Sequence, residues 1–88
     1  MKTENRETYF TYVIYSSNIR KYYIGSTSNL DKRLKEHNSG KTNSTRNKGP
    51  WILVFFEKQV SRHDAITREK QIKSYQGGNA FKKLIGPV

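Results

Sequence analysis

Five residues in this chain are of types that do phosphate or proton chemistry and sit where a plain core would not put them: Tyr12, Tyr23, Arg33, His37 and Glu69. Glu69 lies within a stripe formed by Ala65, Ile66 and Ile72, whose helical spacing turns them toward a core. A carboxylate in such a stripe is costly to bury unless it is paired, protonated or bound to a metal. A structural partner such as an arginine, a position at the rim of the stripe, or a functional role accounts for it. Arg33 stands beside Leu30 and Leu34 on another helix, and His37 follows it by one turn, so the two can point to one place. The plainer alternative is an arginine burying its stem beside an idle surface histidine. Inward-facing Arg33 and Glu69 can meet over a sheet, as a salt bridge or as two parts of one site. The tyrosines have a packing alternative too. A catalytic phenol, with an ordinary pKa of about 10, requires a nearby positive charge or a relay partner.

The elements that must carry these groups follow from the pattern of the chain. Tyr9–Tyr15 (YFTYVIY) is a predicted strand that turns Phe10, Tyr12 and Ile14 to one face and Tyr9, Thr11, Val13 and Tyr15 to the other. Tyr22–Ser26 is a second strand, joined to the first as a hairpin across a short polar loop; Tyr9, Tyr15 and Tyr22 read as packing residues. Ser28 is the expected N-cap of a helix with Asp31 in its first turn and Gly40 as its terminator. After the loop Lys41–Pro50, Trp51–Glu57 (WILVFFE) is a third strand. As the most hydrophobic stretch, it is expected at the centre of the sheet. Ser61 and Asp64 open a long helix to about Tyr75, Gly77 and Gly78 end it, and Asn79 is the expected cap of a last short helix carrying Phe81, Leu84 and Ile85. The order is β-β-α-β-α-α. It is a small α/β (α+β) domain with a three-stranded mixed or antiparallel sheet flanked by helices, residues 9–88, behind a loose leader at 1–8.

Composition bounds the partners. The 88 residues contain 17 Lys and Arg against 7 Asp and Glu, a formal charge of +10, and no cysteine. Such a domain attracts polyanions, nucleic acid foremost. With no cysteine there is no thiolate metal site. The longest apolar run is far below the ~20 residues of a membrane span, and the polar N-terminus lacks the apolar centre of a signal peptide. A cytoplasmic protein without a membrane partner is expected.

Taken together, Tyr23-Ile24-Gly25, the phrase YYIGSTSNLDKRLKEHNSGK and the later REKQIK resemble a GIY-YIG nuclease domain, from about Tyr9 to Ile85. The likeness is strongest to small single-domain members related to the nuclease domain of the bacterial excision-repair incision subunit. The first half-motif is degenerate: Phe10-Thr11-Tyr12 occupies the GIY position and keeps only its tyrosine. The resemblance implies that Tyr12 and Tyr23 are the catalytic tyrosines, Arg33 the helix arginine that contacts the scissile phosphate, and His37 an aid to proton transfer. It implies that Glu69 holds one divalent metal ion, Mg²⁺ or Mn²⁺. Ser26 stands where some repair nucleases have a lysine, and Asn79 matches a late asparagine of some members. Tyr12 is the candidate general base or base relay, with Tyr23 orienting water or phosphate. Lys35, Lys41, Arg46, Lys48, Lys70 and Lys73 are the expected nucleic-acid contacts. Such contacts go mainly to phosphate, so weak sequence specificity is expected. The implied activity is metal-dependent endonucleolytic cleavage of duplex, branched or single-stranded DNA, in repair or recombination. The protein is expected to be monomeric alone, with protein partners in a repair assembly as a further implication. A non-catalytic nucleic-acid-binding module that retains the fold is the rival.

Overall fold

A computed structural model describes residues 8–86; of the expected leader, only Thr8 lies within them. The order is β1 (Tyr9–Ser16), β2 (Lys21–Thr27), α1 (Leu30–Ser39), β3 (Ile52–Gln59), α2 (Arg62–Ser74) and α3 (Asn79–Ile85). This is the β-β-α-β-α-α arrangement of an α+β fold, and all strand pairs are antiparallel.

The sheet order is β2-β1-β3, so the first strand is central and β3, expected at the centre, is an edge. Apolar content alone does not fix a strand's place in the sheet or how fully it is covered. β1 is buried along Thr11–Ile14, whereas Ile52, Leu53 and Phe56 of β3 remain exposed. The pairing of β1 with β3 shifts register between Val13 and Ile14, which face Phe55 and Leu53. The extra residue, Val54, packs together with Phe55 against Val13, Ile72 and Phe81.

The alternation of β1 sorts the core into two layers as expected. Tyr12 and Ile14 join Trp51, Leu30 and Leu34 on the α1 side. Val13 joins Ile72, Phe81, Leu84 and Ile85 on the α2–α3 side. Thr11 donates a buried 2.9 Å hydrogen bond to the Ala65 carbonyl of α2. Arg68 donates to both carboxylate oxygens of Glu57 on β3, at 2.9 and 3.1 Å. These two ties fix α2 about its axis and thereby aim Glu69.

Two of the three expected caps are corrected. Asn29, not Ser28, caps α1: its Oδ1 accepts from the Lys32 amide, while Thr27 Oγ1 accepts from the Asn29 amide. Ser and Asn cap equally well, and this Thr27 turn selects the later residue. Asn79 is the first residue of α3 rather than its cap, which is Gly78 without a side-chain bond. Ser61 caps α2 as expected, accepting from the Asp64 amide at 3.0 Å, and Gly40 closes α1 with φ 84°.

Gly25 lies opposite Tyr12 in the hairpin, and the phenol lies across it. A Cβ there would come within 2.6 Å of the Tyr12 hydroxyl oxygen and 2.8 Å of its ring carbon Cζ. Because both rigid strand and buried ring resist movement, Gly25→Ala is expected to cost about 1–3 kcal/mol and to displace the Tyr12 ring. Thermal unfolding and the aromatic NMR signals of Tyr12 check this, and a variant unchanged in both would contradict it.

Candidate active site

Tyr12 is 2% exposed and His37 1%, so both polar groups require partners inside the protein. They find each other: the Tyr12 hydroxyl is 2.7 Å from His37 Nε2. The other ring nitrogen, Nδ1, is 2.8 Å from Thr45 Oγ1, itself buried in the loop after α1. The histidine is therefore not an idle surface residue. The Tyr23 ring lies over the same imidazole with centroids 4.8 Å apart, and 6.4 Å from Tyr12. Both tyrosines thus stand on the α1 face of the sheet.

Arg33 reaches the same point from α1. Its guanidinium donates to Glu36 at 3.0 Å, and its charge acts on the Tyr12 hydroxyl. Desolvation opposes its charge, but its interactions with Tyr12 and Glu36 hold it more firmly protonated than an ordinary arginine. The same bond keeps the Glu36 carboxyl below its usual range. Glu69 is half-buried on α2 and accepts from Lys73 Nζ at 2.5 Å. Arg33 and Glu69 thus pair with neighbours on their own helices, not with each other. Glu69 is still near enough for its charge to act on Tyr12.

The titration of the pair follows from this setting. Burial raises Tyr12 to about 12; Arg33 opposes the rise, while Tyr23 and Glu69 add to it. Burial lowers His37 to about 4, reinforced by the positive charge of Arg33 and opposed by Glu36. At neutral pH the phenol holds its proton and the imidazole is uncharged.

The expected nucleic-acid contacts occupy different settings. Lys35 and Lys41 are exposed and border a surface groove along α1 with Lys32 and Asn29. Lys70 and Asn79 are exposed. Arg46 donates to the Gly40 carbonyl and to Asn43, Lys48 to the Ser44 carbonyl, and Lys73 to Glu69. A second groove, lined by Ser26, Thr27, Ser28, Lys32, Arg33 and Arg62, opens directly beside the site. Lys32 and Arg62 were not singled out from the sequence, since a lysine in a helix and an arginine at a helix start are ordinary. Thr45 was missed as well: it lies in a polar loop with no periodicity to mark it.

A match to the GIY-YIG catalytic domain covers residues 8–81. The chain belongs to this family. It is 37% identical over 68 residues to a UPF0213 protein of Haloquadratum walsbyi, covering 76% of this chain and 75% of that one. A UPF0213 protein of Clostridium perfringens is 46% identical over 52 residues, 58% of this chain and 56% of that protein. The solution structure of a UPF0213 protein from Bacillus halodurans, 28% identical, covers 86% of this chain and 79% of its own, with a TM-score of 0.49. Membership of a nuclease family agrees with the strongly basic composition. Among the described residues no helix is long and apolar enough to cross a membrane.

His37 in the folded protein titrates below its ordinary 6.5, so its contribution to stability is complete above pH 6.5 and is lost as pH falls toward 4. Tyr12 is raised, so its contribution is complete below pH 10 and is lost as pH rises toward 12. Each is worth on the order of 3 kcal/mol. An NMR titration of the His37 ring is expected to show its midpoint near pH 4; a midpoint at 6.5 would mean that the imidazole is not held as described.

Proposed function

We propose that this protein is a divalent-metal-dependent endonuclease that hydrolyses DNA phosphodiester bonds with low sequence specificity, acting on branched, nicked or single-stranded DNA in repair or recombination. The observation that carries this reading is the Tyr12 hydroxyl. It is hydrogen-bonded to the buried His37 imidazole at 2.7 Å and lies within the influence of the Arg33 charge. A tyrosine that serves packing alone has no use for that pair.

The donor set fits one hard cation. No cluster of three or more His, Asp or Glu occurs among the described residues, which argues against a two-metal clamp. Glu69 offers a single, partly exposed carboxylate, suited to Mg²⁺ or Mn²⁺ that keeps most of its water. Such an ion would neutralise charge on the phosphoryl and leaving oxygens. Lys73 shares the carboxylate and would have to yield it.

The protein's own groups account for the remaining chemistry. Arg33 would bind the scissile phosphate and stabilise the charge that grows on it. Tyr12 would accept a proton from the attacking water while passing its own to His37 Nε2. The new P–O bond forms as the P–O bond to the leaving oxygen breaks, and that oxygen takes a proton from solvent. An isolated transfer from a phenol near 12 to an imidazole near 4 would cost on the order of 11 kcal/mol. Proton movement is therefore coupled to attack on phosphorus. Tyr23, whose ring is tilted against the imidazole, would orient the water or the phosphate. Lys35, Lys41, Lys70 and Asn79 would hold the flanking backbone, together with Arg46, Lys48 and Lys73 where substrate displaces their present contacts.

Labelled single-stranded, duplex and branched DNA incubated with Mg²⁺, Mn²⁺ or EDTA provides the test. Cleavage is expected only with metal, to disappear in Glu69→Ala, and to fall by about 10²–10⁴-fold in Tyr12→Phe. Salt-sensitive binding without cleavage under any condition would replace this reading with that of a nucleic-acid-binding module.

A further inference from the structure

Thr45 lies on a loop outside the helices and strands, yet it is 1% exposed and touches His37. Donor counting shows what it does there. The Tyr12 hydroxyl has one hydrogen-bond partner among the described residues, the His37 imidazole. The phenol is buried, so its own proton needs an acceptor, and His37 Nε2 at 2.7 Å is the one beside it. Nε2 must then carry the lone pair, and a neutral imidazole must carry its proton on Nδ1. That proton points at Thr45 Oγ1, 2.8 Å away. The threonine hydroxyl then turns its own hydrogen to the Thr42 carbonyl at 3.5 Å, which also accepts from the Thr45 amide at 3.2 Å. Every donor in this series has an acceptor, and the direction runs one way: Tyr12 to His37, His37 to Thr45, Thr45 to the backbone.

We propose that Thr45 is a positioning residue that fixes the tautomer of His37, so that Nε2 faces Tyr12 as an acceptor. If the opposite tautomer formed, His37 would donate to the phenol oxygen, and the buried phenol proton would lose its acceptor. The imidazole could then no longer take the phenol proton, and Tyr12 could not accept one from water in the hydrolysis proposed above. The inference deepens that reading and rests on it for its catalytic consequence, but the tautomer is a property of the folded protein alone.

The loop is built to hold this threonine still. Trp51 Nε1 donates to the Thr45 carbonyl at 3.2 Å, and Asn38 on α1 brackets Trp51, accepting from its amide at 2.7 Å and donating to its carbonyl at 3.0 Å. Ser16, at the end of β1, donates to the Lys48 carbonyl at 2.6 Å. The groups that face the imidazole are thus Tyr12 from β1, Tyr23 from β2, Arg33 and Glu36 from α1, and Thr45 from the loop.

Long-range ¹H–¹⁵N NMR of the His37 ring at neutral pH, without DNA or metal, reads the tautomer directly. The wild type is expected to carry its proton on Nδ1. Thr45→Val, which keeps the shape and removes the hydroxyl, is expected to move the proton to Nε2 and lower kcat about 10–100-fold with KM unchanged. Thr45→Ser is expected to restore both. A wild-type ring protonated on Nε2 would overturn the proposal, as would a Thr45→Val ring still protonated on Nδ1. If DNA is never cleaved, the nuclease reading fails on its own, while the wild-type and Thr45→Ser rings still decide the tautomer even where Thr45→Val fails to fold.

Discussion

A buried phenol bonded to a buried imidazole is the constraint around which this small domain is arranged. Neither group can turn to water, so each must be satisfied from within, and an unsatisfied polar atom at such depth costs about 1–3 kcal/mol. The demand passes outward through the structure. Tyr12 requires a glycine opposite, which β2 supplies at Gly25. His37 requires a partner on its far side, which brings Thr45 and its loop against α1. The loop in turn must be fastened, which occupies Asn38, Trp51 and Ser16. A chain with +10 net charge and a modest core thus devotes much of its interior polarity to orienting one hydroxyl.

The parts of this that the sequence revealed are those governed by periodicity. Alternation along YFTYVIY separates Tyr12 from Val13 correctly, and the i, i+4 pair Leu30–Leu34 locates the face that α1 turns to the sheet. Ser61 is a cap whether read as a letter or seen as a bond. The strand order was not legible, because WILVFFE advertises apolar surface without saying what covers it, and the covered strand proves to be YFTYVIY. Ser28 and Asn29 are adjacent residues of equal capping ability, and only the Thr27 turn separates them.

For the candidate site, the limits were of another kind. A sequence shows that Arg33 and His37 share a helix face, but not that the histidine is sealed away while the arginine remains half-exposed. Nor does it show that Glu36 and Lys73 attend Arg33 and Glu69. Such i, i+3 and i, i+4 partners occur on most charged helices and mark nothing by themselves. Their presence here divides the charges into neutralised pairs, so the cations facing substrate are fewer than the composition suggests.

The central position of β1 also has a consequence in time. The strand that every other element leans on is made before them, and the hairpin with β2 covers only one of its edges. The other edge waits for β3, whose last residue, Gln59, follows Thr27 by 32 residues. At ribosomal rates of about 5–20 residues per second, that is an interval of roughly 2–6 s. Through it the nascent hairpin carries an unpaired border along the strand that ends up most buried. Completion of the domain is therefore a late event, and the tyrosine at its heart lacks β3 on one side until most of the chain has been synthesised.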